Sequence, residues 1–243
     1  MTDYRIVFAR SARKELEALP DSTAFRVLSR VEKLILVRSE ETCFLAALAE
    51  AGFPVPSVAA IRDQDDPLPS CLAALLLEWI PRLEDRRLQE SVTWALLAAP
   101  QGMVDGAVLI PLFNAATNEE LRRAIASVIN QTRPRNIDEW LLEVVRDRRA
   151  GASRNLLAAA VAKMLPPERA VPVLLEVFQD APLAAVHPLG KVGDSRVRDF
   201  LVAQQPGATG PLRRELRQAI ARIERRLAKV RRVVIDTSSV STA

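Results

Sequence analysis

Apolar residues fall along most of the chain into helix-length blocks that come in pairs, with short polar or proline-containing breaks between them. Some blocks repeat the same apolar phrase, most clearly LLEVV at 141–145 and LLEVF at 174–178. Regular spacing of such blocks is typical of stacked helical hairpins. The anchor leucines of successive pairs are separated by 33, 32 and 33 residues, and a final one follows after 27: Leu76, Leu109, Leu141, Leu174 and Leu201.

The paired blocks predict a first and a second helix for each hairpin. Asn118, Ser153 and Ser195 lie where helices begin and are predicted N-caps. Because one hairpin cannot bury its apolar face alone, each must stack on its neighbours. The predicted fold class is therefore all-α, with about five hairpins. We expect the second helices over 86–98, 119–130, 153–164, 183–192 and 211–232.

The clearest hairpin lies over residues 167–201, which read PERAVPVLLEVFQDAPLAAVHPLGKVGDSRVRDFL. This stretch, and above all its phrase LGKVGD, resembles a HEAT-type helical hairpin, which implies an α-solenoid. The resemblance further implies a non-enzymatic scaffold that binds another protein through the concave surface of its second helices. Polar residues of these helices are then the candidate contacts: Arg87, Glu90, Arg122, Arg123, Arg154, Asn155 and Lys191.

Residues 4–37 show a different pattern. Tyr4–Phe8 predicts a short strand, Ser11 can cap one helix, and Ser22 opens another with a single apolar stripe. The phrases YRIVF, SARKELEALP and RVLSRVEKL resemble the start of RelE/ParE-type toxins. Such toxins continue with three more strands that supply the active residues, whereas here the pattern predicts a helix over 40–51. We interpret the segment as a truncated remnant that serves as an N-terminal cap.

These patterns divide the chain into three parts. We expect a strand–helix–helix segment over 1–38, a repeat solenoid over 39–232 and a flexible tail over 233–243. Arg232–Ile235 looks strand-like because of its β-branched residues. Pairing of this segment with Tyr4–Phe8 of a second molecule would give a dimer.

The charge is unevenly distributed along the chain. Residues 1–38 hold 8 Lys and Arg against 5 Asp and Glu, and residues 203–243 hold 9 against 3. Residues 39–202 hold 17 against 22, so the body lacks the basic excess expected of a protein that grips nucleic acid along its length. A protein partner is therefore favoured. The alternative is a nucleic-acid-binding protein that uses its basic terminal segments, with contacts in the last helix: Arg214, Arg217 and Arg225.

Residues that could catalyse a reaction or bind a metal are scarce. His187 is the one histidine, and the two cysteines leave fewer than the four ligands that a structural zinc site needs. The acidic loop at 63–67 lacks the glycine and glutamate of an EF-hand. Dinucleotide, P-loop and metalloprotease motifs are absent from the sequence. We expect no catalytic residue, no metal and no cofactor, and we interpret His187 as a surface residue beside a helix kink.

The cysteines and the hydropathy indicate the compartment. Cys43 and Cys71 follow no spacing pattern and are expected to be buried, reduced thiols of a cytoplasmic protein. Apolar runs fall short of the ~20 residues that a membrane-spanning helix needs, so no span is expected.

The resemblance to HEAT-type repeats leaves two enzymatic alternatives. Trp79, Trp94 and Trp140 could stack on bases, as in HEAT-like DNA glycosylases that bind damaged DNA along a basic concave face. Trp79 and Trp140 adjoin anchor leucines, however, which favours packing in the core. HEAT-like repeats also occur in phycobilin lyases, but no lyase motif accompanies them here.

Overall fold

The computed structural model describes residues 10–64 and 66–240, and all regular secondary structure in this part of the chain is helical. The all-α fold class is thereby confirmed. The chain divides into two compact units, Met1–Pro56 and Ser57–Ala243. The predicted strand at 4–8 lies outside the described residues.

The first unit contains α1 (Arg10–Glu17) and α2 (Asp21–Glu50). Helix α2 continues through the predicted domain boundary at 38/39, and the two units divide after Pro56 instead. The two helices expected here are one because no glycine or proline interrupts residues 21–50. Gly52, with a φ of 90°, follows the helix in the left-handed conformation that commonly ends one.

The second unit begins with the short helix α3 (Val58–Arg62) and continues as five helical hairpins. The first helices of the hairpins are α4 (Ser70–Trp79), α6 (Gly106–Ala115), α8 (Asp138–Val144), α10 (Pro167–Asp180) and α12 (Ser195–Gln204). Their partners, the second helices, are α5 (Arg86–Ala95), α7 (Glu119–Thr132), α9 (Ser153–Met164), α11 (Pro182–Val192) and α13 (Gly210–Val240). Short 3-10 turns lie at Ile80–Arg82, Leu96–Ala98 and Arg148–Ala150.

The second helices form the continuous part of this unit. Helices α3, α5, α7, α9, α11 and α13 pack side by side in this order. All five anchor leucines are fully buried, as expected if each marks the core position of its hairpin. The spacing of the anchor leucines in the sequence therefore corresponds to the repeat of the helical hairpin in the structure.

Helix N-caps follow the predicted residue types but not always the predicted positions. Asn118 accepts a hydrogen bond from a backbone N–H of α7 at 2.6 Å, as expected. Ser195 is wrong as a cap, because the preceding Asp194 has the extended backbone and accepts the N–H of Val197. Ser153 is also wrong, because it is the first residue of α9 and bonds the side chain of Glu119 instead.

The C-terminal helix is longer than expected. Helix α13 continues to Val240, so the predicted strand at Arg232–Ile235 is wrong and residues 233–240 of the predicted tail are helical. Valine and isoleucine favour strands only when a neighbouring strand can pair with them, and the described residues contain none. Extending a helix that has already formed is far easier than starting a new element.

Both cysteines are exposed and free, so the expectation of buried thiols is wrong. Each lies beside buried residues, Cys43 before Phe44 and Cys71 before Leu72. Adjacent positions on a helix point about 100° apart, so the burial of a neighbour does not extend to them. None of the described helices combines the length and the apolar character that a bilayer crossing needs.

The crossing of α11 and α13 depends on Gly190. A Cβ atom at this position would lie 2.8 Å from the Cα atom of Ala219 and 2.9 Å from its Cβ atom. Gly190→Val is expected to lower the free energy of unfolding by about 2–3 kcal/mol, because the two helices would have to separate. Gly207→Val is the matched control, since nothing lies within 4 Å of a Cβ there. Urea unfolding followed by circular dichroism measures both, and equal losses would contradict this account of the crossing.

Candidate binding surface

The first turns of three second helices carry an equivalent side-chain donor. Gln89, Arg122 and Arg154 are separated by 33 and 32 residues, like the anchor leucines. Each donates to the C-cap carbonyl of the first helix in its own hairpin. The distances are 2.8, 3.1 and 2.6 Å to the carbonyls of Ile80, Ala116 and Val145. A helix leaves its last carbonyls without an intrahelical partner, so these bonds satisfy the end of one helix from the start of the next.

Arg154 also joins two consecutive hairpins. Its guanidinium makes a two-point contact with the carboxylate of Asp180 at the end of α10, at 2.9 and 3.0 Å. Arg148 is a second partner of this carboxylate at 2.7 Å. The hydrogen bond from Arg154 holds the pKa of Asp180 below its usual range. Arg154 is only 7% exposed, so the prediction that it is a surface contact is wrong. A buried guanidinium is tolerated here because two acceptor groups surround it.

The other predicted contact residues differ in their exposure and in their side-chain partners. Arg122 is half-buried and also reaches the carbonyl of Arg149 at 3.3 Å, and Arg123 is paired with Glu120 on its own helix. Glu90 is half-buried. Four of the predicted side chains are exposed on their second helices: Arg87, Arg123, Asn155 and Lys191.

Four cations lie on four successive second helices, and we call them the cation row: Arg133, Lys163, Lys191 and Arg222. Arg133 is the C-cap of α7, and Lys163 reaches back from α9 to donate to the carbonyl of Asn130 at 3.1 Å. Burial lowers the pKa of Lys163, and the charges of Lys191 and Arg133 lower it further. These cations are therefore electrostatic neighbours across helix boundaries.

The cation row has no carboxylate partner in the described part of the chain, since no ion pair there includes any of its four members. Three of the four were missed from the sequence. A signal was present, because Arg133, Lys163 and Lys191 each end a second helix. Cations at helix C-termini interact favourably with the helix dipole, by about 0.3–1 kcal/mol each. This attraction explains their placement, but it leaves the row positively charged.

The first-helix side of the same hairpins is organised differently. Arg146 contacts Glu176 at 2.5 Å, and Arg169 contacts Glu139 at 2.7 Å. Both pairs join the neighbouring hairpins α8–α9 and α10–α11, and each partner is 30 residues from the other. Within the described residues, Arg146 and Arg169 on the first-helix side are thus paired with carboxylates, whereas the cation row on the second helices is not.

His187 lies next to the cation row on α11. Its Nδ1 atom is 3.3 Å from a guanidinium nitrogen of Arg222, and the side chain is half-buried within a continuous helix rather than at a break. Burial lowers the pKa of His187, the charges of Arg222 and Lys191 lower it further, and Glu215 opposes them. No sulfhydryl or hydroxyl nucleophile is among the described partners of this ring.

The lowered pKa of His187 predicts a loss of stability in mild acid. The folded chain holds this proton less tightly than the unfolded chain, so the free energy of unfolding falls as the pH drops through about 6.5. His187→Gln should remove this contribution. Urea midpoints at about pH 7.5 and 5.5 measure it, and wild type should lose more stability than the variant. Equal losses in the two proteins would count against the burial of a neutral ring.

The predicted basic residues of the last helix are exposed. Arg217 and Arg213 line a cleft of about 350 Å³ together with Gln205 and Pro206. Arg214 lies 3.8 Å from its neighbour Glu215. Arg225 bonds the carbonyl of Ala221 at 3.2 Å, within its own helix. These contacts are local, and they leave the arginine side chains at the surface.

The described contact of Trp140 favours packing over base stacking. The ring of Trp140 meets that of Phe113 edge-on, with centroids 5.2 Å apart, and Trp79 and Trp94 are half-buried. Trp140 is half-buried as well, and its contact with Phe113 agrees with the predicted packing, whereas core packing of Trp79 stays a prediction. Within residues 10–64 and 66–240, no group of three or more His, Cys, Asp or Glu side chains could hold a metal ion.

Comparisons with known proteins add no relative. The chain matches no protein-family model, no curated protein and no solved structure.

Proposed function

We propose that the chain is a non-enzymatic binding protein built as a HEAT-type stack, and that it engages a partner protein through the surface of its second helices. The observation that supports this is the charge distribution across the hairpins. Arginines between first helices are paired with carboxylates, whereas the cation row is unpaired within the described residues. Like charges held close together raise the free energy of the unbound protein. A partner of opposite charge removes this cost and gains specificity from the match.

Two further observations fit this proposal. His187 borders cations rather than a nucleophile, which suits a binding surface better than a catalytic one. Both cysteines are free and exposed, which fits a reducing compartment such as the cytoplasm. The likeness of residues 4–37 to the start of a toxin stays a prediction.

Affinity capture from an extract of the native host, with matched variants, tests the proposed surface. Lys191→Glu reverses a charge of the cation row, and Arg146→Gln with Glu176→Gln removes an ion pair on the first-helix side. A partner held by wild type should be lost with Lys191→Glu and kept with the double variant. Loss with the double variant alone would place the binding surface on the first helices and overturn the proposal.

A second candidate function is nucleic-acid binding by the last helix. The observation that favours it is the set of exposed arginines on α13: Arg213, Arg214, Arg217 and Arg225. Such binding is strongest at low ionic strength, because neutralising phosphates releases counterions. A gel-shift series from low to physiological salt tests it. Failure to shift single- or double-stranded DNA or RNA at low salt would exclude this candidate.

A further inference from the structure

We infer that the cation row binds an extended acidic segment of a partner protein, laid across the second helices from α7 to α13. This inference rests on the proposed function and specifies the chemistry of the partner. Helices α7, α9, α11 and α13 are neighbours in the stack, and each contributes one member of the row. A ligand that meets all four must therefore cross the helices rather than run along one of them.

The spacing of the row fits an extended peptide. Packed helices lie about 8–10 Å apart, so neighbouring second helices offer a cation about every 10 Å. An extended chain rises about 3.3 Å per residue, and three residues cover about the same distance. A segment with Asp or Glu at every third position, or a continuous acidic run, can therefore place one carboxylate near each helix. A single small anion would reach only one or two members of the row.

The chemistry of the row favours carboxylates over a nucleic acid. Duplex DNA carries one charge per ~1.7 Å of its axis, and its binding requires a broad basic surface. Residues 39–202, which hold three of the four cations, have fewer Lys and Arg than Asp and Glu. Single strands are bound by stacking on aromatic side chains, and Trp140 already packs against Phe113. The row supplies hydrogen-bond donors instead, through the guanidinium of Arg222, which lies beside His187.

Two members of the row can be changed with little effect on the fold. Lys191 is exposed, and its side chain makes no hydrogen bond or ion pair within the described part of the chain. Lys163 donates to the carbonyl of Asn130, and glutamine keeps a donor at this position. Arg149→Gln is the matched control, because it removes an equally exposed charge that is paired with Asp147 outside the row. Melting temperatures from circular dichroism verify that each variant is folded.

Fluorescence anisotropy with a labelled Glu-rich peptide of about twelve residues tests the inference on the full chain. The wild type should bind the peptide and ignore a Gln-substituted version. Lys191→Gln should weaken binding about fivefold, and Lys163→Gln with Lys191→Gln about 25-fold. Arg149→Gln should bind like wild type.

Three results would overturn the inference. The first is that wild type does not bind the acidic peptide. The second is that the double variant, Lys163→Gln with Lys191→Gln, binds it as tightly as wild type does. The third is that the row binds a single-stranded oligonucleotide in place of the peptide. The affinity capture described above separates these from a failure of the proposed function. A captured partner that still depends on Lys191 while the acidic peptide does not bind would refute the acidic segment alone.

Discussion

Replacing Arg154 by methionine is expected to lower the free energy of unfolding by about 3 kcal/mol. The change removes the buried partner of Asp180 and the donor to the Val145 carbonyl in one step. Methionine keeps most of the apolar volume, so the loss reports the polar contacts rather than a cavity. Arg149→Met is the matched control, because this side chain is 90% exposed and its pair with Asp147 is a surface contact. The control should lose little stability, because solvent screens an exposed ion pair.

Urea unfolding followed by circular dichroism compares the two variants. The stability that the pair of Arg154 and Asp180 contributes should also depend on pH. Because Arg154 lowers the pKa of Asp180, the stabilisation is complete above about pH 4 and is lost as the pH falls further and the carboxylate is protonated. The difference in the free energy of unfolding between wild type and Arg154→Met should therefore become smaller in strong acid. Equal urea midpoints for Arg154→Met and Arg149→Met at neutral pH would show that the pair of Arg154 and Asp180 does not stabilise the fold.

Leu174→Ala is expected to lower the free energy of unfolding by about 2–5 kcal/mol. Leu174 is the anchor of the fourth hairpin and is fully buried, so truncation removes apolar contact and leaves a cavity. Leu175→Ala, one position along the same helix, is the matched control because Leu175 is only half-buried. The control should lose about 1 kcal/mol. Differential scanning calorimetry measures both, and a larger loss at position 175 would show that the anchor register is misassigned.

The repeat was predictable from the sequence because it depends on local, periodic features. The anchor leucines share a 32- to 33-residue spacing, and each is buried. Asn118 caps α7 because its side-chain oxygen accepts the N–H of Leu121, which has no partner within the helix. Such features need no knowledge of which hairpin lies beside which. Residue type alone could not decide between Asp194 and Ser195 as the cap of α12, because aspartate and serine are both favoured at this position.

The candidate site was less predictable because it depends on contacts between hairpins. Arg154 was assigned to the surface from its charge, whereas its partner Asp180 belongs to the next hairpin and allows it to be buried. Lys163 and Arg133 became neighbours of Lys191 only through the packing of three helices. Lys191 alone was found in advance. Side-chain polarity indicates exposure only until a partner from another repeat is considered.

The order of the second helices has a mechanical consequence. Helices α5, α7, α9 and α11 each pack between two neighbouring helices of the stack, so a bend of the second unit can be shared among several small adjustments. In three of the five hairpins, a side-chain bond from Gln89, Arg122 or Arg154 ties the two helices of the hairpin together. The ion pairs of Arg146 and Arg169 tie neighbouring hairpins to each other as well, so a displacement of one hairpin should be passed on to the next. The second unit can therefore respond to a bound segment through small shifts that its hairpins share, without unfolding any of them.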